Sequence, residues 1–479
     1  MTAIALTLIV VGAALAFATV AYRRLRSRRR GVGFRDYVKN PSSQNWLTAE
    51  LANRDSIRVP PDLPDSDIQR MVDRLYRLED KDYNLHRLKL VGHRAVPWLV
   101  RALNDPKTSV LRFTQANFSP GGISPFERIC DALRPLGSAD AASALAPYLG
   151  HADSHFRKLA ALAIGNIGSS DCVAPILRAL GDEDDYVRSY AMMGIGDALA
   201  AGRRNPVFLD AVVPPLTNLL TREDMSASGR PPAILLAIDA TKAMTILLAQ
   251  EYCSVSNREL ASILEAFNEA KVAIPEERLL GLLRELEPLA MEYPHDREYA
   301  AALLAYARHP DEAAEALFRA QLSSPNETVA SAAAEALTVL CGIGDPLKSV
   351  FAAMEGSDRK VTQAQELYFA VYIYDAEVGN GGHAQFFVNG SGDTWRESRM
   401  GLQAMGAHER AKILQTAALL FGPNGPSEDH EQRRLQLARV YQRHEKELDE
   451  CDKSYYSCKD NMKQLMLLFA VANRDQFMD

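Results

Sequence analysis

Residues 149–165 read LGHADSHFRKLAALAIG and residues 180–196 read LGDEDDYVRSYAMMGIG. At a shift of 31 residues, Leu149, Gly150, Asp153, Arg157, Ala160, Ile164 and Gly165 meet Leu180, Gly181, Asp184, Arg188, Ala191, Ile195 and Gly196, and all seven pairs are identical. A fixed period of this size marks a stacked array in which each unit is a helix pair that buries its apolar face only against its neighbours. Asp153 and Arg157, like Asp184 and Arg188, are four apart and share a helix face, with the acid near the positive helix N-terminus. The small residues Ala160, Ala163 and Gly165, then Ala191, Gly194 and Gly196, are expected to let the second helix lie close against the first helix of its own and the next repeat. Val173, Ile176, Leu177 and Leu180 give a preceding first helix its apolar stripe, with Pro175 in the first turn and Gly181-Asp182-Glu183-Asp184 as the joining turn.

This pattern resembles the HEAT-repeat family, in the short bacterial form related to lyase-like repeats. The resemblance weakens in both directions. Val96-Pro97-Trp98-Leu99 with Leu103 reads as another first helix, and Cys130, Ala132 and Gly137 precede Ala161, Ala163 and Gly168 by the same period. An insert, Asn117 to Ser124, interrupts that unit, and Val213-Pro214-Pro215-Leu216 with Leu220 restarts the pattern. From 232 to 350 the Ala- and Leu-rich chain reads as degenerate repeats, so HEAT-like helices are expected over 65–350. The expected fold class is all-α: one transmembrane helix, an α–α superhelix and a small C-terminal helical domain.

The membrane expectation rests on residues 1–22, which carry no charged side chain. Ala3 to Ala21 spans roughly 30 Å as a helix, enough for one bilayer crossing. Arg23, Arg24, Arg26, Arg28, Arg29 and Arg30 follow at once and read as topology determinants. A cleaved signal peptide would carry its charge on the other side. The positive-inside rule then predicts a single-pass inner-membrane protein with its N-terminus outside and its bulk in the cytoplasm. Residues 23–64 are expected to form a basic juxtamembrane segment and linker, with Asp65 as the N-cap of the first folded helix. Six cysteines without metal spacing agree with a reducing compartment, and a Cys451–Cys458 disulfide is not expected there.

Over 361–479 aromatic residues become dense, and Asn380-Gly381-Gly382, Gln385-Phe386-Phe387 and Asn389-x-Ser391-Gly392 punctuate the helices. Gly and Asn tolerate a left-handed C-cap, so Asn-Gly-Gly is expected to stop one helix. Helices are expected at 394–405, 408–421, 428–450 and 454–473. The motifs resemble a small helical domain family whose named member type is a bacterial DNA-mimic protein. That resemblance implies a role in imitating nucleic acid, for which a strongly acidic face is needed. Residues 361–479 hold 17 Asp and Glu against 13 Lys and Arg. Acids at 428–452 are interleaved with Arg433, Arg434, Arg443, Lys446 and Lys453, the pattern of a solvated face with i,i+4 pairing.

Other candidate chemistry is sparse. His151 and His155 have a legitimate metal spacing but lie in a repeat turn whose counterpart lacks them, and read as exposed polar residues. His383, Asn380 and Gln385 read as capping and core residues, and would be the first place to look for a small-molecule site. Asp182 to Asp185 read as an acidic helix start. No P-loop, dinucleotide fingerprint, nucleophile elbow or HExxH occurs, so no catalytic residue, cofactor or metal is expected. A net charge of −7 and a pI near 5.9 argue against direct nucleic-acid binding. The sequence therefore predicts a membrane-tethered adaptor that binds a protein. Two alternatives are a DNA-mimic regulator that sequesters a DNA-binding protein and a lyase-type HEAT protein that handles a small ligand.

Overall fold

A computed structural model describes residues 58–76, 83–110, 124–221, 231–249, 253–255, 259–355 and 361–478. The apolar run, the six arginines, most of the linker and residues 117–123 of the insert lie outside the described residues. Among the described residues there is no strand, and no helix is long and apolar enough to cross a membrane. The chain divides into two compact units between Ala273 and Ile274.

In the first unit, α1 (Ala139–Leu145), α2 (Ser154–Ile167), α3 (Val173–Leu180), α4 (Asp185–Ala200) and α5 (Pro206–Asn218) carry the repeats. Each long helix starts where the sequence supplies a cap. Asp153 accepts from the His155 N–H and Asp184 from the Tyr186 N–H, both at 2.9 Å. Gly168 ends α2 in the left-handed region at φ 61°. The Pro-Pro pair does not open a helix: Asn205 caps α5 and Pro206 occupies its first turn, so Pro214 and Pro215 fall inside it. On α3, Ile176 and Leu180 are buried but Leu177 is exposed, which narrows the expected stripe.

Of these small residues, Gly165, Ala191 and Gly194 bring α2 and α4, both second helices, together along their backbones. A Cβ at Gly165 would lie 2.7 Å from the Ala191 carbonyl oxygen, and one at Gly194 only 2.3 Å from that of Leu162. Ala160, Ala163 and Ala191 are fully buried.

The second unit begins with helix Glu276–Leu286 and continues through α6 (His295–Tyr306), helix Glu312–Gln321 and α7 (Glu327–Leu340). Helix Pro346–Glu355 leads to α8 (Gln363–Val388), α9 (Trp395–Ala404), α10 (His408–Leu419), α11 (His430–Ser457) and α12 (Met462–Ala472). α7 packs against α6 and against α12. Ala330, Ala332, Ala333, Ala334 and Ala336 of α7 are all buried, because small side chains let both neighbours approach. α12 thus stands where a further second helix would stand. Asn461 is bonded to Ser331 at 2.8 Å, Lys463 to Glu335 at 2.7 Å, and Gln464 donates to the Leu322 carbonyl at 2.8 Å.

α11 runs past the expected end at 450, because Cys451 and Tyr455 prolong the buried line of Leu437, Val440 and Leu448. The next helix starts later than expected, at Met462, where Asn461 accepts from the Gln464 N–H.

Candidate interaction surfaces and the polar centre of the C-terminal domain

The repeat signature is realised in the backbone. Arg157 donates through Nη1 to the carbonyls of His151 and Ala152, and Arg188 does the same to Asp182 and Glu183, the positions 31 residues on. These bonds go to backbone carbonyls rather than to the acid four residues before each arginine. That acid is the helix cap, and the arginine ties down the turn that leads into the helix. Arg157 adds a bidentate pair to Asp182 of the next turn, at 3.0 and 3.1 Å. Burial works against charge on Asp184. Hydrogen bonds from Ser154 and from the Tyr186 and Val187 N–H groups, with the Arg157 field, outweigh it and hold the carboxyl below its usual range.

His151 accepts from the Asp153 N–H through Nδ1 and its ring packs 4.4 Å from that of Phe156, while His155 meets the same ring edge-on. Their roles are local. Among the described residues no group of three or more His, Cys, Asp or Glu is placed to hold a metal ion.

The outer face of α4 is apolar and aromatic. Tyr186 is 51 % exposed and Met193 is 46 % exposed. Tyr190, between them at helical spacing, is half-buried beneath the Lys158 ammonium, which lies 5.3 Å from its ring centre. This patch was not singled out from the sequence. The signal was present in Tyr186-x3-Tyr190-x2-Met193, whose i, i+4, i+7 spacing marks one face, but apolar spacing alone does not tell an outer stripe from a core one.

In the C-terminal domain the motif residues form the frame of a buried polar centre. Asn-Gly-Gly interrupts α8 at a kink: Gly381 (φ −159°, ψ 28°) and Gly382 both leave the helical region, so one helical segment stops there, as the sequence predicts, and another begins. Gly382 has φ 72° and ψ −179°, an extended conformation of positive φ that is open almost only to glycine, rather than a left-handed cap. A Cβ on Gly382 would fall 2.3 Å from the Asp452 carboxylate. That carboxylate accepts from the His383 N–H at 2.8 Å and bonds the imidazole Nδ1 at 2.6 Å, while Nε2 meets the Tyr374 hydroxyl at 3.0 Å. His383 and Tyr374 are fully buried, and burial pushes the Tyr374 hydroxyl well above its ordinary pKa.

A second carboxylate gathers the rest of the motif. Glu377 accepts from Gln385 Nε2 at 2.7 Å, from Asn389 Nδ2 at 3.0 Å and from Ser391 Oγ at 3.3 Å. Phe386 and Phe387 are fully buried, whereas Asn380 and Gly381 are exposed at the kink. Asn380 therefore does not join His383 and Gln385 in a common lining.

Arg433 and Asp452 depart from the expected solvated face. Arg433 is fully buried and donates to the carbonyls of Phe387, Ser427 and Asn389 and to Asp393 at 2.6 Å. Gly392 is required beside it, since a Cβ there would lie 2.6 Å from Arg433 Nε. All six cysteines are free, and burial pushes the Cys451 thiol up to about 11.

No curated protein matches the chain. Residues 127–196 match the family model for HEAT repeats, and residues 359–473 match that for DMP19-like proteins. The chain therefore carries HEAT repeats, with the 31-residue periodicity at their centre, and a DMP19-like domain beyond them.

Proposed function

We propose that this protein is a membrane-tethered cytoplasmic adaptor whose repeat surface binds another protein. The observation that carries this reading is the exposed Tyr186–Tyr190–Met193 face of α4, set on a rigid backbone-to-backbone seam. Aromatic and methionine side chains on a rigid element make good anchors for a partner. Tethering is supported by the uncharged residues 1–22 followed by six arginines. The test is a pull-down of the full chain from detergent extract, with Tyr186→Ala/Met193→Ala as the comparison. Loss of one partner from the variant, with an unchanged melting temperature, is expected. A partner set identical in both would refute the assignment of that face. A reporter fused after residue 479 should be active in the cytoplasm and sediment with membranes, and periplasmic activity would refute the tether.

The DMP19-like match favours a second reading, in which the C-terminal domain imitates nucleic acid for a basic protein. Its acids stand exposed at Glu445, Glu447, Asp449 and Glu450. Binding by such mimicry falls steeply with salt, while binding by the α4 face changes little. Recovery of a DNA-binding protein that is lost on Glu445→Gln/Glu447→Gln/Asp449→Asn, and lost in high salt, would establish this reading over the first.

A further inference from the structure

Asparagine is followed by glycine three times in the chain, at Asn380-Gly381, Asn389-Gly390 and Asn424-Gly425. In such a pair the side-chain amide carbon lies within reach of the next backbone nitrogen, and glycine puts no Cβ in the way. Whether the two atoms meet then depends on how firmly the fold holds each of them. The three pairs are alike in sequence but are held very differently.

At the second pair the amide is tied down. Asn389 Nδ2 lies 3.2 and 3.0 Å from the two carboxylate oxygens of Glu377, and Gly390 is buried. At the third pair the nitrogen is tied down. The Gly425 N–H donates to the Gly422 carbonyl at 2.9 Å, and Gly425 lies so close to Trp395 that a Cβ would fall 2.6 Å from the indole. Arg396 also holds the Asn424 carbonyl at 3.1 Å. Asn380 and Gly381, by contrast, are both exposed, and the Asn380 amide makes no hydrogen bond among the described residues. Gly381 and Gly382 leave the helical region directly after it, so the last turn of the first segment is held by helix from one side only.

We propose that Asn380 is a site of spontaneous deamidation, singled out from the other two pairs by the kink of α8. The Gly381 nitrogen forms a bond to Asn380 Cγ, the Cγ–Nδ2 bond breaks, and Nδ2 leaves as ammonia with the proton from Gly381. The cyclic imide that remains takes up water across one of its two C–N bonds. Opening at Cγ gives aspartate. Opening at the main-chain carbonyl gives isoaspartate, whose backbone runs through Cβ and Cγ and is longer by one carbon. Water is the co-reactant, and nothing is oxidised or reduced.

The added carbon falls between two fixed points. Tyr456 donates to the Val378 carbonyl at 2.8 Å, and Asp452 accepts from the His383 N–H at 2.8 Å, so α11 grips α8 on both sides of residue 380. Gly382, packed against the Asp452 carboxylate, has no room to take up the extra length. Isoaspartate at 380 therefore loosens the hold of α11 on α8. Aspartate adds a charge at an exposed position and leaves the spacing unchanged.

The test ages the full chain in detergent at mildly alkaline pH and follows all three pairs by peptide mass spectrometry, with fragmentation that distinguishes isoaspartate from aspartate. Asn380 should convert at least roughly tenfold faster than Asn389 or Asn424, a barrier difference of about 1.4 kcal/mol. In urea the three should convert at similar rates, because the fold and not the sequence sets the order. The aged parent should melt at a lower temperature than the fresh protein, Asn380→Asp should melt like the fresh parent, and Asn380→Gln should age without that loss. An unconverted Asn380, another pair reacting as fast in the folded chain, or the same order of rates in urea would each overturn the proposal. So would an isoaspartate form that melts like Asn380→Asp, or an aged Asn380→Gln that loses as much as the parent.

Discussion

Between α2 and α4, contact is made by what the side chains lack. Gly165 and Gly194 leave room for the opposing backbone, with Ala191 beside them. Around the kink of α8, contact is made by what has been taken from water. Glu377 holds three polar side chains, Asp452 holds His383, and Arg433 holds three carbonyls and Asp393. The first arrangement is local, repeated and apolar. The second joins residues up to 69 positions apart, and each group in it has one specified partner set. A seam of small residues resists change through shape. A buried polar centre resists it through unmet hydrogen bonds, which are the costlier failure.

The largest expected effect tests that ranking. Arg433→Met keeps the apolar stem but strands Asp393 and three carbonyls, and should cost about 3–5 kcal/mol in denaturant unfolding. A loss no larger than that from the seam variant below would break the comparison. In the seam, Gly194→Ala drives a Cβ into the Leu162 carbonyl and should cost about 1–3 kcal/mol. Gly196→Ala is its control. A Cβ there meets nothing within 4 Å, so the variant should gain about 0.5–1 kcal/mol from helix propensity. Opposite signs two residues apart in thermal melting would fix the face on which α2 and α4 meet.

A smaller effect concerns how one repeat holds the next. Asp182→Asn breaks the charged pair to Arg157 but leaves the carbonyl bonds of both arginines, and should cost about 1 kcal/mol. Adding Arg157→Ala to it should cost less than the sum of the two single changes. Smallest is the acid response. The Asp184 carboxyl titrates lower folded than unfolded, so its contribution is complete above about pH 4, its unfolded value, and is lost as pH falls through the folded one. Asp184→Asn keeps an N-cap but removes the titration, so the fall in melting temperature between about pH 5 and pH 2 should be shallower than in the parent.

The difference between the two regions also explains what the sequence reveals. Periodicity exposes a repeat because every unit meets the same neighbours, so Asp153/Asp184 and Arg157/Arg188 announce equivalent places before any partner is known. It does not say which helices meet. Ala160 and Gly165 have the same spacing whether they face a first helix or a second, and the structure was needed to choose. The motif Asn380 to Gly392 marked its domain in the sequence, but its logic hung on Glu377, Arg433 and Asp452. Arg433 and Asp452 read as ordinary surface charges, because nothing local distinguishes a solvated arginine from one held by carbonyls more than forty residues away. The outer aromatic face of α4 was hidden for the opposite reason: its spacing is that of a core stripe.

One feature of the second unit bears on synthesis. α7 is lined with alanine on the flank that α12 covers, yet Met462 leaves the ribosome about 120 residues after Leu340, a wait of roughly 6–25 s at 5–20 residues per second. Throughout that interval α6 and α7 are complete while one side of their stack lies bare. Small side chains suit this delay. An alanine flank offers a later helix close backbone approach, but presents much less sticky surface to a neighbouring nascent chain than leucine or phenylalanine would. The composition that permits tight stacking in the finished molecule thus also limits misassociation before the molecule is finished.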